Sequence, residues 1–465
     1  MTKAVFGIIG LGVMGSSLAK NIAGKGISLS VYNRTAPGEE KVVLDFLDEM
    51  DLEHVQGHLR LVDFVGSLAL PRKIMIMVSA GPAVDAVLQQ LQPLLDPGDV
   101  VIDGGNSHYQ DTQRRATHLA KDLVHFLGIG VSGGEEGALT GPSMMAGGAA
   151  DAYSIVREVL ESMAAKDANK LPCVSLLGPD GSGHFVKTLH NGIEYAEMQL
   201  LAECYDLLRS KRSNEEIANI FDGWRGGGLD SFLLNITVDI LRFKDGKDYL
   251  LDKILDVAGS KGTGTWSSQA ALQLGVPATM IQAAVNARFL SSMNDKRKEY
   301  NELRTHNSTD GSIDAEALKQ AYTMARIINF HEGFRILKAA SQEYGWDFDL
   351  SEIARVWTEG CIIKSAMMQQ LTGVLKQTDD IFRVTSFRDA LKNSSALRVT
   401  LQYGVSNQVP TPCLSAAMQY WLSISSESLP ANLIQAQRDY FGAHTYKRND
   451  RPSSEDFTTN WKTHG

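Results

Sequence analysis

The sequence predicts an α/β domain, then a large all-helical domain and a short tail. From residue 4 to residue 178, short apolar runs alternate with amphipathic helical patterns, which is typical of a parallel sheet covered by helices. From about residue 180 to residue 433 the strand pattern is lost and helical patterns dominate. After Leu433 the composition becomes polar and aromatic, and too few residues follow for a separate core. We therefore expect domains at residues 1–178 and 179–433, and an extended tail at residues 434–465.

Composition limits the class of protein and its compartment. Hydrophobic residues make up 43% and charged residues 21% of the 465 residues, which is typical of a globular protein. No run approaches the ~18 consecutive apolar residues of a membrane-spanning helix, and the glycine motif near the N-terminus leaves no space for a signal peptide. The cysteines are scattered without a CxxC pair, which argues against zinc or disulfides. The formal net charge of −9 disfavours nucleic acid as a partner, and we expect a cytoplasmic protein.

A glycine motif connects the first strand to the first helix. Residues 4–9 are apolar, residues 16–25 have the periodicity of an amphipathic helix, and residues 27–32 have the pattern of a second strand. The motif after the first strand is Gly10-Leu11-Gly12-Val13-Met14-Gly15. Its first glycine permits a tight turn, the second lets a pyrophosphate approach backbone N–H groups, and the third permits close packing of helix on strand. This context predicts a Rossmann-type dinucleotide site.

The end of the second strand indicates which dinucleotide binds. An NAD site usually has an acidic residue about 20 residues after the glycines, where it accepts a hydrogen bond from the ribose 2′-hydroxyl. This chain instead has Asn33-Arg34-Thr35. A guanidinium pairs with a 2′-phosphate, whereas a carboxylate would repel it. The sequence therefore favours NADP.

The alternation of strands and helices continues to residue 178. Strand patterns lie at residues 73–79, 99–105, 124–131, 143–147 and 174–178, and helical patterns lie at residues 82–91, 111–122 and 153–164. Asn106 follows one of these strands, and Ser132-Gly133-Gly134 follows another. Open α/β sheets bind ligands at the carboxyl edge of their strands. We expect the Ser-Gly-Gly turn to present backbone N–H groups and a hydroxyl to a carboxylate.

The helical region begins with the densest group of candidate catalytic side chains. In a helix over residues 182–212, an arc of roughly 140° carries five polar side chains. They are Lys187, His190, Asn191, Glu194 and Tyr195. One base and one acid two turns apart, with an imidazole and an amide between them, are typical of an active-site wall. An ordinary exposed face fits this stretch, taken alone, equally well.

Further helical patterns lie at residues 214–224, 231–243, 278–304, 315–344 and 351–377. The segments EIANIF at 216–221 and EIARVW at 352–357 resemble each other, which indicates an internal duplication. Lys261 and Thr263 lie in a glycine-rich loop, which is either a phosphate site or a surface turn. Arg288 is a single arginine in a weakly charged helix, so it is either buried with a partner or directed at an anion.

The tail is rich in aromatic residues. They are Tyr440, Phe441, Tyr446, Phe457 and Trp461. A segment that only interacts with water carries few aromatic side chains. We therefore expect the tail to dock on another surface, for which a second subunit is a candidate.

Taken in order, these motifs resemble those of the 6-phosphogluconate dehydrogenases of the pentose phosphate pathway, and the resemblance covers the whole chain. It rests on GLGVMG at 10–15, NRT at 33–35, DGGNS at 103–107, VSGGEEGA at 131–138, GHFVKTLHNGIEY at 183–195, AGSKGTGTW at 258–266, ARFLSS at 287–292 and RDYFGAHTY at 438–446. The wider β-hydroxyacid dehydrogenase group shares the glycine motif and a catalytic lysine, but not the C-terminal motifs.

The resemblance implies a homodimer with a Rossmann-type domain, an all-α domain and a tail that reaches the neighbouring subunit's site. The implied reaction converts 6-phospho-D-gluconate to D-ribulose 5-phosphate and CO₂ with reduction of NADP⁺, without a metal ion. By motif, Lys187 is the general base that takes the C3 hydroxyl proton and then, once protonated, polarises the 3-keto group. Glu194 is the acid that protonates C1 of the resulting enediol.

The resemblance also implies the binding residues. Those for the sugar acid are Asn106, Ser132, Gly133, Gly134, His190 and Asn191. Those for its phosphate are Tyr195, Lys261, Thr263 and Arg288, together with Arg438 and His444, which the tail would supply to the neighbouring subunit. Those for the cofactor are Gly10, Leu11, Gly12, Val13, Met14, Gly15, Asn33, Arg34, Thr35, Val78, Ser79, Ala80 and Asn106.

Two residues depart from the family pattern. Ser79 stands where many members have lysine in a VKAG-like motif beside the cofactor, and Thr265 replaces a lysine common in GTGKW.

Two other functions fit parts of the sequence: a β-hydroxyacid dehydrogenase for a small unphosphorylated acid, and a non-catalytic NADP-binding protein. The cationic residues assigned to the substrate phosphate disfavour the first function, because a small acid leaves them without an anionic partner. These residues are Lys261, Arg288, Arg438 and His444. A base and an acid on one helix face disfavour the second.

Overall fold

The computed structural model describes residues 2–50, 52–260, 262–304 and 311–462, so Lys261, predicted to bind the substrate phosphate, lies outside the described residues. Contacts between residues divide the chain into two compact units, Met1–Ala417 and Met418–Gly465. The first unit contains an eight-stranded sheet with its helices, followed by a long series of helices.

A mixed sheet forms the first part of the chain. Its strands are β1 (Phe6–Ile9), β2 (Leu29–Tyr32), β3 (Val55–His58), β4 (Lys73–Ile76), β5 (Val100–Asp103), β6 (His125–Ser132), β7 (Ser143–Gly147) and β8 (Val174–Gly178). They lie in the order β3-β2-β1-β4-β5-β6-β7-β8. Every neighbouring pair is parallel except β6 and β7. The strand order reverses between β1 and β4, and open α/β sheets bind ligands outside the carboxyl ends of the strands at such a point.

Helices cover both faces of this sheet. They are α1 (Val13–Gly24), α2 (Val42–Met50), α3 (Leu61–Ser67), α4 (Pro82–Leu91), α5 (Tyr109–Leu119), α6 (Gly134–Thr140) and α7 (Ala150–Met163). Ile8 belongs to one cluster of buried apolar side chains, whereas its neighbour Ile9 belongs to a second. Successive side chains of a strand point to opposite faces, so a strand covered on both faces needs a continuous apolar run. This explains the apolar runs that mark the inner strands in the sequence.

The elements between β2 and β4 are absent from the sequence-based prediction. The structure has α2, β3 and α3 there. β3 is an edge strand, and of its four residues only Val55 is buried. A strand that contributes so little to the core needs no apolar run, so its sequence carries a weak signal. The other predicted strands and helices of this region are confirmed, with ends that differ by up to three residues.

Helices form the rest of the first unit. They are α8 (Ser182–Arg209), α9 (Asn214–Asp222), α10 (Phe232–Arg242), α11 (Thr263–Gln273), α12 (Thr279–Ser291), α13 (Asn294–Asn301), α14 (Ala315–Tyr344), α15 (Leu350–Val356), α16 (Ala366–Val374), α17 (Thr385–Lys392) and α18 (Ser395–Ser406). The expected absence of strands here is wrong at one point, because β9 (Lys244–Asp245) and β10 (Asp248–Tyr249) form a short antiparallel pair.

Two long helices predicted from periodicity are each divided. The pattern at 278–304 comprises α12 and α13, and the pattern at 351–377 comprises α15 and α16. Before α16, the Ser365 hydroxyl accepts a hydrogen bond from the Met368 N–H at 3.2 Å and so begins a new helix. Apolar periodicity survives such a break, because each piece still packs one face on the core.

The predicted internal duplication has a structural counterpart. A helix of 28 residues, α8, is followed by the short α9, and a helix of 30 residues, α14, is followed by the short α15. The similar segments at 216–221 and 352–357 begin in these two short helices. The two long helices also contact each other, since the Asn329 side chain donates a hydrogen bond to the Ile193 carbonyl at 3.0 Å.

The second unit is organised around one buried carboxylate. Helix α19 (Pro412–Ile424) contains residues of both units, and α20 (Ala431–Gly442) lies in the second. On α20, the Asp439 carboxylate accepts hydrogen bonds from the Thr459 N–H at 3.0 Å and from the Trp461 indole at 2.8 Å. The end of the chain therefore folds back on α20. Over the described ranges, none of the helices is both long and apolar enough to cross a membrane.

Candidate active site

The first half of α8 is buried on all sides. A Cβ added to Gly130 of β6 would overlap the Lys187 side chain, so glycine at this position lets the helix approach the sheet closely. Lys187 is only 6% exposed, and His190 is fully buried. The interpretation of this stretch as an ordinary exposed face is therefore wrong. Its polar side chains occupy the interior of the first unit.

Lys187, His190 and Asn191 form a hydrogen-bonded group on α8. The Lys187 Nζ donates to the Asn191 Oδ1 at 2.8 Å and lies 3.3 Å from the His190 Nδ1. The other ring nitrogen of His190, Nε2, lies 3.2 Å from the Ser132 Oγ at the end of β6. The Glu194 Oε2 lies 3.5 Å from the His190 Nδ1. The polar face of α8 thus meets the first residue of the Ser-Gly-Gly turn.

Burial changes the pKa of each titratable group in this cluster. It lowers the pKa of the Lys187 ammonium, although Glu194 and Cys361 act in the opposite direction. It raises the pKa of the Glu194 carboxyl, against the effects of Lys187 and Arg288. Burial and the nearby Lys187 together lower the pKa of His190 well below its usual value. A lysine that loses its proton readily and a carboxyl that retains its proton are suited to act as a base and an acid.

Two buried residues beside this cluster are absent from the sequence-based prediction. The Trp357 ring lies edge-on to the His190 ring, with centroids 5.6 Å apart. The Cys361 Sγ donates to the Trp357 carbonyl at 3.1 Å. Both residues follow α15, in a segment that carries no chemical motif of its own. Only the packing of this segment against α8 identifies them.

The glycine loop leaves open space at the N-terminus of α1. Gly10 has a φ of +95°, and a Cβ there would lie 2.6 Å from the Met77 carbonyl oxygen, while a Cβ on Gly15 would overlap Gly10. By contrast, a Cβ on Gly12 would meet no atom within 4 Å, and this residue precedes α1 without a side-chain cap. An uncapped helix N-terminus with open space before it suits an anion. The remaining loop residues are Leu11, which is buried, Val13, which is exposed, and Met14, which is half-buried.

Asn33, Arg34 and Thr35 directly follow β2, beside the glycine loop. The Asn33 Oδ1 accepts a hydrogen bond from the Leu11 N–H at 3.0 Å. The Arg34 Nε lies 3.2 Å from the Glu39 Oε2, and Thr35 is exposed. The side chains predicted to bind the 2′-phosphate therefore lie together at the carboxyl end of β2.

The loops after β4 and β5 lie side by side at the same edge. The first contains Val78, Ser79 and Ala80, of which Ser79 is exposed. The second contains Asn106, which is also exposed, and is held from below by the Asp103 carboxylate. Asp103 accepts hydrogen bonds from the Ser107 hydroxyl at 2.7 Å and from the buried Arg115 at 3.1 Å. These hydrogen bonds hold the DGGNS motif in place next to the exposed Asn106. The sequence pattern does not reveal that Arg115 takes part in them.

At the other end of the cluster, Tyr195 contacts Arg288 and the start of α11, where Thr263 lies. The Arg288 guanidinium carbon lies 3.3 Å from the centre of the Tyr195 ring, and its Nη1 donates to the Gly259 carbonyl at 3.0 Å. Thr263 begins α11, and a Cβ on the next residue, Gly264, would lie 2.6 Å from the Tyr195 ring. Three helices, α8, α11 and α12, therefore converge on residues predicted to bind phosphate.

Arg438 and His444 belong to the second unit, where both are exposed. The Arg438 Nη1 donates to the Gln435 side chain at 3.1 Å. The His444 ring lies edge-on to the Phe441 ring, with centroids 5.9 Å apart. Within their own unit, both predicted phosphate ligands are accessible.

Two family models match the chain. The model of the NAD binding domain of 6-phosphogluconate dehydrogenase matches residues 5–178. The model of the 6-phosphogluconate dehydrogenase C-terminal domain matches residues 183–461. The two matches together include both the glycine loop and the α8 cluster.

Relatives of full length are similar to this chain. A Bacillus subtilis protein named NADP(+)-dependent, decarboxylating 6-phosphogluconate dehydrogenase is 45% identical, over 99% of this chain and 100% of the relative. A decarboxylating 6-phosphogluconate dehydrogenase of Lactococcus lactis subsp. cremoris is 44% identical, over 97% of this chain and 98% of the relative. The structure of Plasmodium falciparum 6-phosphogluconate dehydrogenase, described in its apo form and with NADP⁺ and 6-phosphogluconate, is 38% identical and matches with a TM-score of 0.92 over 98% of this chain and 100% of that chain.

Proposed function

Because the chain belongs to the 6-phosphogluconate dehydrogenase family, we propose that it oxidises and decarboxylates 6-phospho-D-gluconate and reduces NADP⁺. The products are D-ribulose 5-phosphate, CO₂ and NADPH. The observation that carries this proposal is that the buried Lys187 lies on the same face of α8 as Glu194. The Lys187 Nζ donates a hydrogen bond to Asn191 at 2.8 Å. Such a pair can move protons in both directions within one site.

The residues near the reversal of strand order between β1 and β4 fit NADP. The open, uncapped start of α1 at Gly12 suits the pyrophosphate. Asn33 and Arg34, which carry an amide and a guanidinium, suit the 2′-phosphate. When bound, NADP⁺ supplies the hydride acceptor for the oxidation of C3. The loops that contain Ser79 and Asn106 border the same crevice.

Lys187 is the proposed general base. Since burial lowers its pKa, it is neutral at a lower pH than a free lysine and can take the proton of the C3 hydroxyl. The Asn191 oxygen, 2.8 Å from Nζ, fixes the position of the amine. After protonation, Lys187 donates a hydrogen bond to the 3-keto oxygen. This stabilises the negative charge that develops there as CO₂ leaves C1.

Glu194 is the proposed general acid. Burial raises its pKa, so the carboxyl retains its proton at a pH where a surface glutamate is ionised. It donates this proton to C1 of the enediol that decarboxylation leaves. The neighbouring His190, whose pKa is lowered well below its usual value, stays neutral and positions substrate hydroxyls with Ser132.

The substrate phosphate requires local cations, because the chain carries a formal net charge of −9. Tyr195, Thr263 and Arg288 are the proposed ligands from α8, α11 and α12. Lys261 is proposed with them on the basis of its motif. Asn106 and the Ser132-Gly133-Gly134 turn are proposed to hold the sugar acid, together with His190 and Asn191.

We further propose a homodimer in which the tail completes the neighbouring subunit's site. In the second unit, Leu433 is 62%, Ile434 60% and Phe441 73% exposed. Clustered exposed apolar side chains mark a surface that binds another protein. Arg438 and His444 lie in the same unit and would supply positive charge to the substrate phosphate.

A cytoplasmic location is part of this proposal. The cysteines of the chain, Cys173, Cys204, Cys361 and Cys413, are all free and buried. Free thiols are usual in a reducing compartment, whereas secreted proteins tend to pair them.

One assay tests the reaction. Purified protein is incubated with 6-phosphogluconate and either NADP⁺ or NAD⁺, and both the reduced cofactor and the released CO₂ are measured. We expect equal amounts of the two products. Reduction of the cofactor without CO₂ would point to a simple hydroxyacid dehydrogenase, and no reduction would reject the enzymatic function.

Subunit mixing tests the shared site. Lys187→Ala and His444→Ala proteins are each expected to have little activity. A mixed dimer contains one site with both native residues, so activity should return when subunits exchange. If exchange is verified with tagged subunits and no activity returns, the tail does not complete the neighbouring site.

A further inference from the structure

The predicted 2′-phosphate ligands already share one carboxylate in this structure. The Glu39 Oε2 accepts hydrogen bonds from the Arg34 Nε at 3.2 Å and from the Asn33 Nδ2 at 3.3 Å. The Glu39 Oε1 accepts a further hydrogen bond from the Arg34 Nη2 at 3.4 Å. The carboxylate thus bridges the guanidinium and the amide just beyond β2.

Glu39 is a charged competitor rather than a neutral neighbour. Its hydrogen bond with Arg34 lowers the pKa of the carboxyl, so the side chain is ionised at neutral pH. A carboxylate and a phosphate accept hydrogen bonds from the same fork of guanidinium N–H groups. Both cannot occupy the same donors, and two anions close together repel each other. A 2′-phosphate can therefore pair with the Nε and Nη2 groups of Arg34 only if it displaces Glu39.

We propose that Glu39 is a specificity-determining residue of the cofactor site, which lowers the preference for NADP over NAD by occupying Arg34 and Asn33. For NAD the effect differs in kind, because a 2′-hydroxyl carries no charge and needs no guanidinium. Acidic side chains near this position accept a hydrogen bond from that hydroxyl in NAD-binding sites. The inference rests on the proposed cofactor site, and it adds a residue outside the motif that predicted the site.

The neighbouring Glu40 provides a matched control. It is exposed, carries the same charge, and accepts a hydrogen bond from the Gly38 N–H at 3.0 Å rather than from Arg34. Glu39→Gln and Glu40→Gln therefore change the net charge of the same loop equally. Only Glu39→Gln removes the carboxylate that contacts Arg34 and Asn33.

The test measures binding of 2′,5′-ADP and 5′-AMP, which differ by the 2′-phosphate, by calorimetry at low salt. For Glu39→Gln we expect 2′,5′-ADP to bind about three- to fivefold more tightly, the range of an exposed ion pair. Binding of 5′-AMP should stay within about twofold, and Glu40→Gln should change either affinity by about twofold or less. In an Arg34→Ala background, Glu39→Gln should change the ratio of the two affinities by clearly less than it does when Arg34 is present, because only the contact with Asn33 and the direct repulsion of the phosphate then remain.

Four results would overturn the inference. They are an equal gain for both nucleotides, an equal gain in Glu40→Gln, a gain that is as large without Arg34 as with it, and no change in Glu39→Gln. The first would indicate a change in the loop, and the second a general effect of charge. If the wild-type protein binds neither nucleotide, the proposed cofactor site itself fails. If wild-type binding is normal and Glu39→Gln changes nothing, only the role of Glu39 fails.

Discussion

Lys187 and Arg34 are both cations of the proposed active site, but one lies in the interior and the other on the surface. Lys187 is 6% exposed, whereas the Arg34 side chain is 75% exposed. Burial is the largest influence on the pKa of Lys187 and lowers it. The hydrogen bond that Arg34 donates to Glu39 is the largest influence on the pKa of Arg34 and raises it. The first group is thereby suited to titrate, and the second remains a fixed charge.

The physical reason for this difference is access to water. A charge in the interior loses its hydration, so its protonation depends on the few groups that replace water. A charge on the surface keeps its hydration, and salt screens each of its ion pairs. Changes near Lys187 should therefore alter chemistry and packing strongly. Changes near Arg34 should alter affinity moderately and leave the fold intact.

Lys187→Met should have the largest effect. We expect kcat to fall by about 10³-fold, because the general base is lost. The melting temperature should not fall, since methionine fills the space and removes a buried charge. Steady-state kinetics and thermal denaturation measure the two effects. Lys211→Met, an exposed lysine just beyond α8, is the control and should match the wild-type protein. Activity within about tenfold of wild type would exclude Lys187 as the base.

Glu194→Gln should have the next largest effect and change the pH profile. The carboxyl donates its proton below its raised pKa, so this contribution is lost as pH rises through that pKa. Glutamine does not ionise, so we expect kcat to fall about 10²-fold while the alkaline limb of its pH profile disappears. The acid limb, which reflects protonation of Lys187, should persist. An alkaline limb that is unchanged in the variant would assign it to another group.

Gly130→Ala tests the packing on the interior side. The added methyl group would overlap the Lys187 side chain, so α8 or β6 must move. We expect the free energy of unfolding, from urea denaturation, to fall by about 2 kcal/mol. In the control, Gly373→Ala of α16, the methyl group meets no atom within 4 Å. That variant should be as stable as wild type or gain about 0.5 kcal/mol. Equal stability of both variants would contradict the close approach of α8 to β6.

Arg34→Ala should have the smallest effect, on the surface side. The dissociation constant for NADP⁺ should rise about tenfold, as expected for loss of charge-assisted hydrogen bonds at an exposed site. The dissociation constant for NAD⁺ should change by about twofold or less, and the melting temperature should not change, because the side chain is exposed. Fluorescence titration and thermal denaturation measure these quantities. An equal loss for both cofactors would show that Arg34 does not recognise the 2′-phosphate.

The sequence predicted the parts of the site that rest on local rules. Gly10 was predicted to make a tight turn, and it has a φ of +95° that other residues rarely adopt. Helical periodicity placed Lys187, His190 and Glu194 on one face. In the structure the His190 Nδ1 lies 3.3 Å from the Lys187 Nζ and 3.5 Å from the Glu194 Oε2. It could not predict whether water or protein covers that face, because periodicity does not say what packs on a helix.

The sequence did not predict several side-chain contacts and helix ends. Trp357 and Cys361 reach the cluster only through the packing of the chain after α15. Glu39 is near Arg34 in sequence, but the turn that brings its carboxylate back to the guanidinium leaves no clear pattern. The breaks in the predicted long helices were missed for a related reason, since apolar spacing continues across them.

The sequence by itself determined that an α/β region precedes a helical one, where the glycine loop lies, and which residue types share one face of α8. These depend on backbone conformation and on the spacing of side chains along one element. Only the tertiary structure decided how those elements are completed. Helix α12, which carries Arg288, has no cap from the residues before it. Glu332 of α14 instead accepts hydrogen bonds from the N–H groups of Thr279 at 2.8 Å and Met280 at 3.0 Å. Partners so far apart in the chain meet because two helices pack together, and the sequence of neither helix specifies that contact.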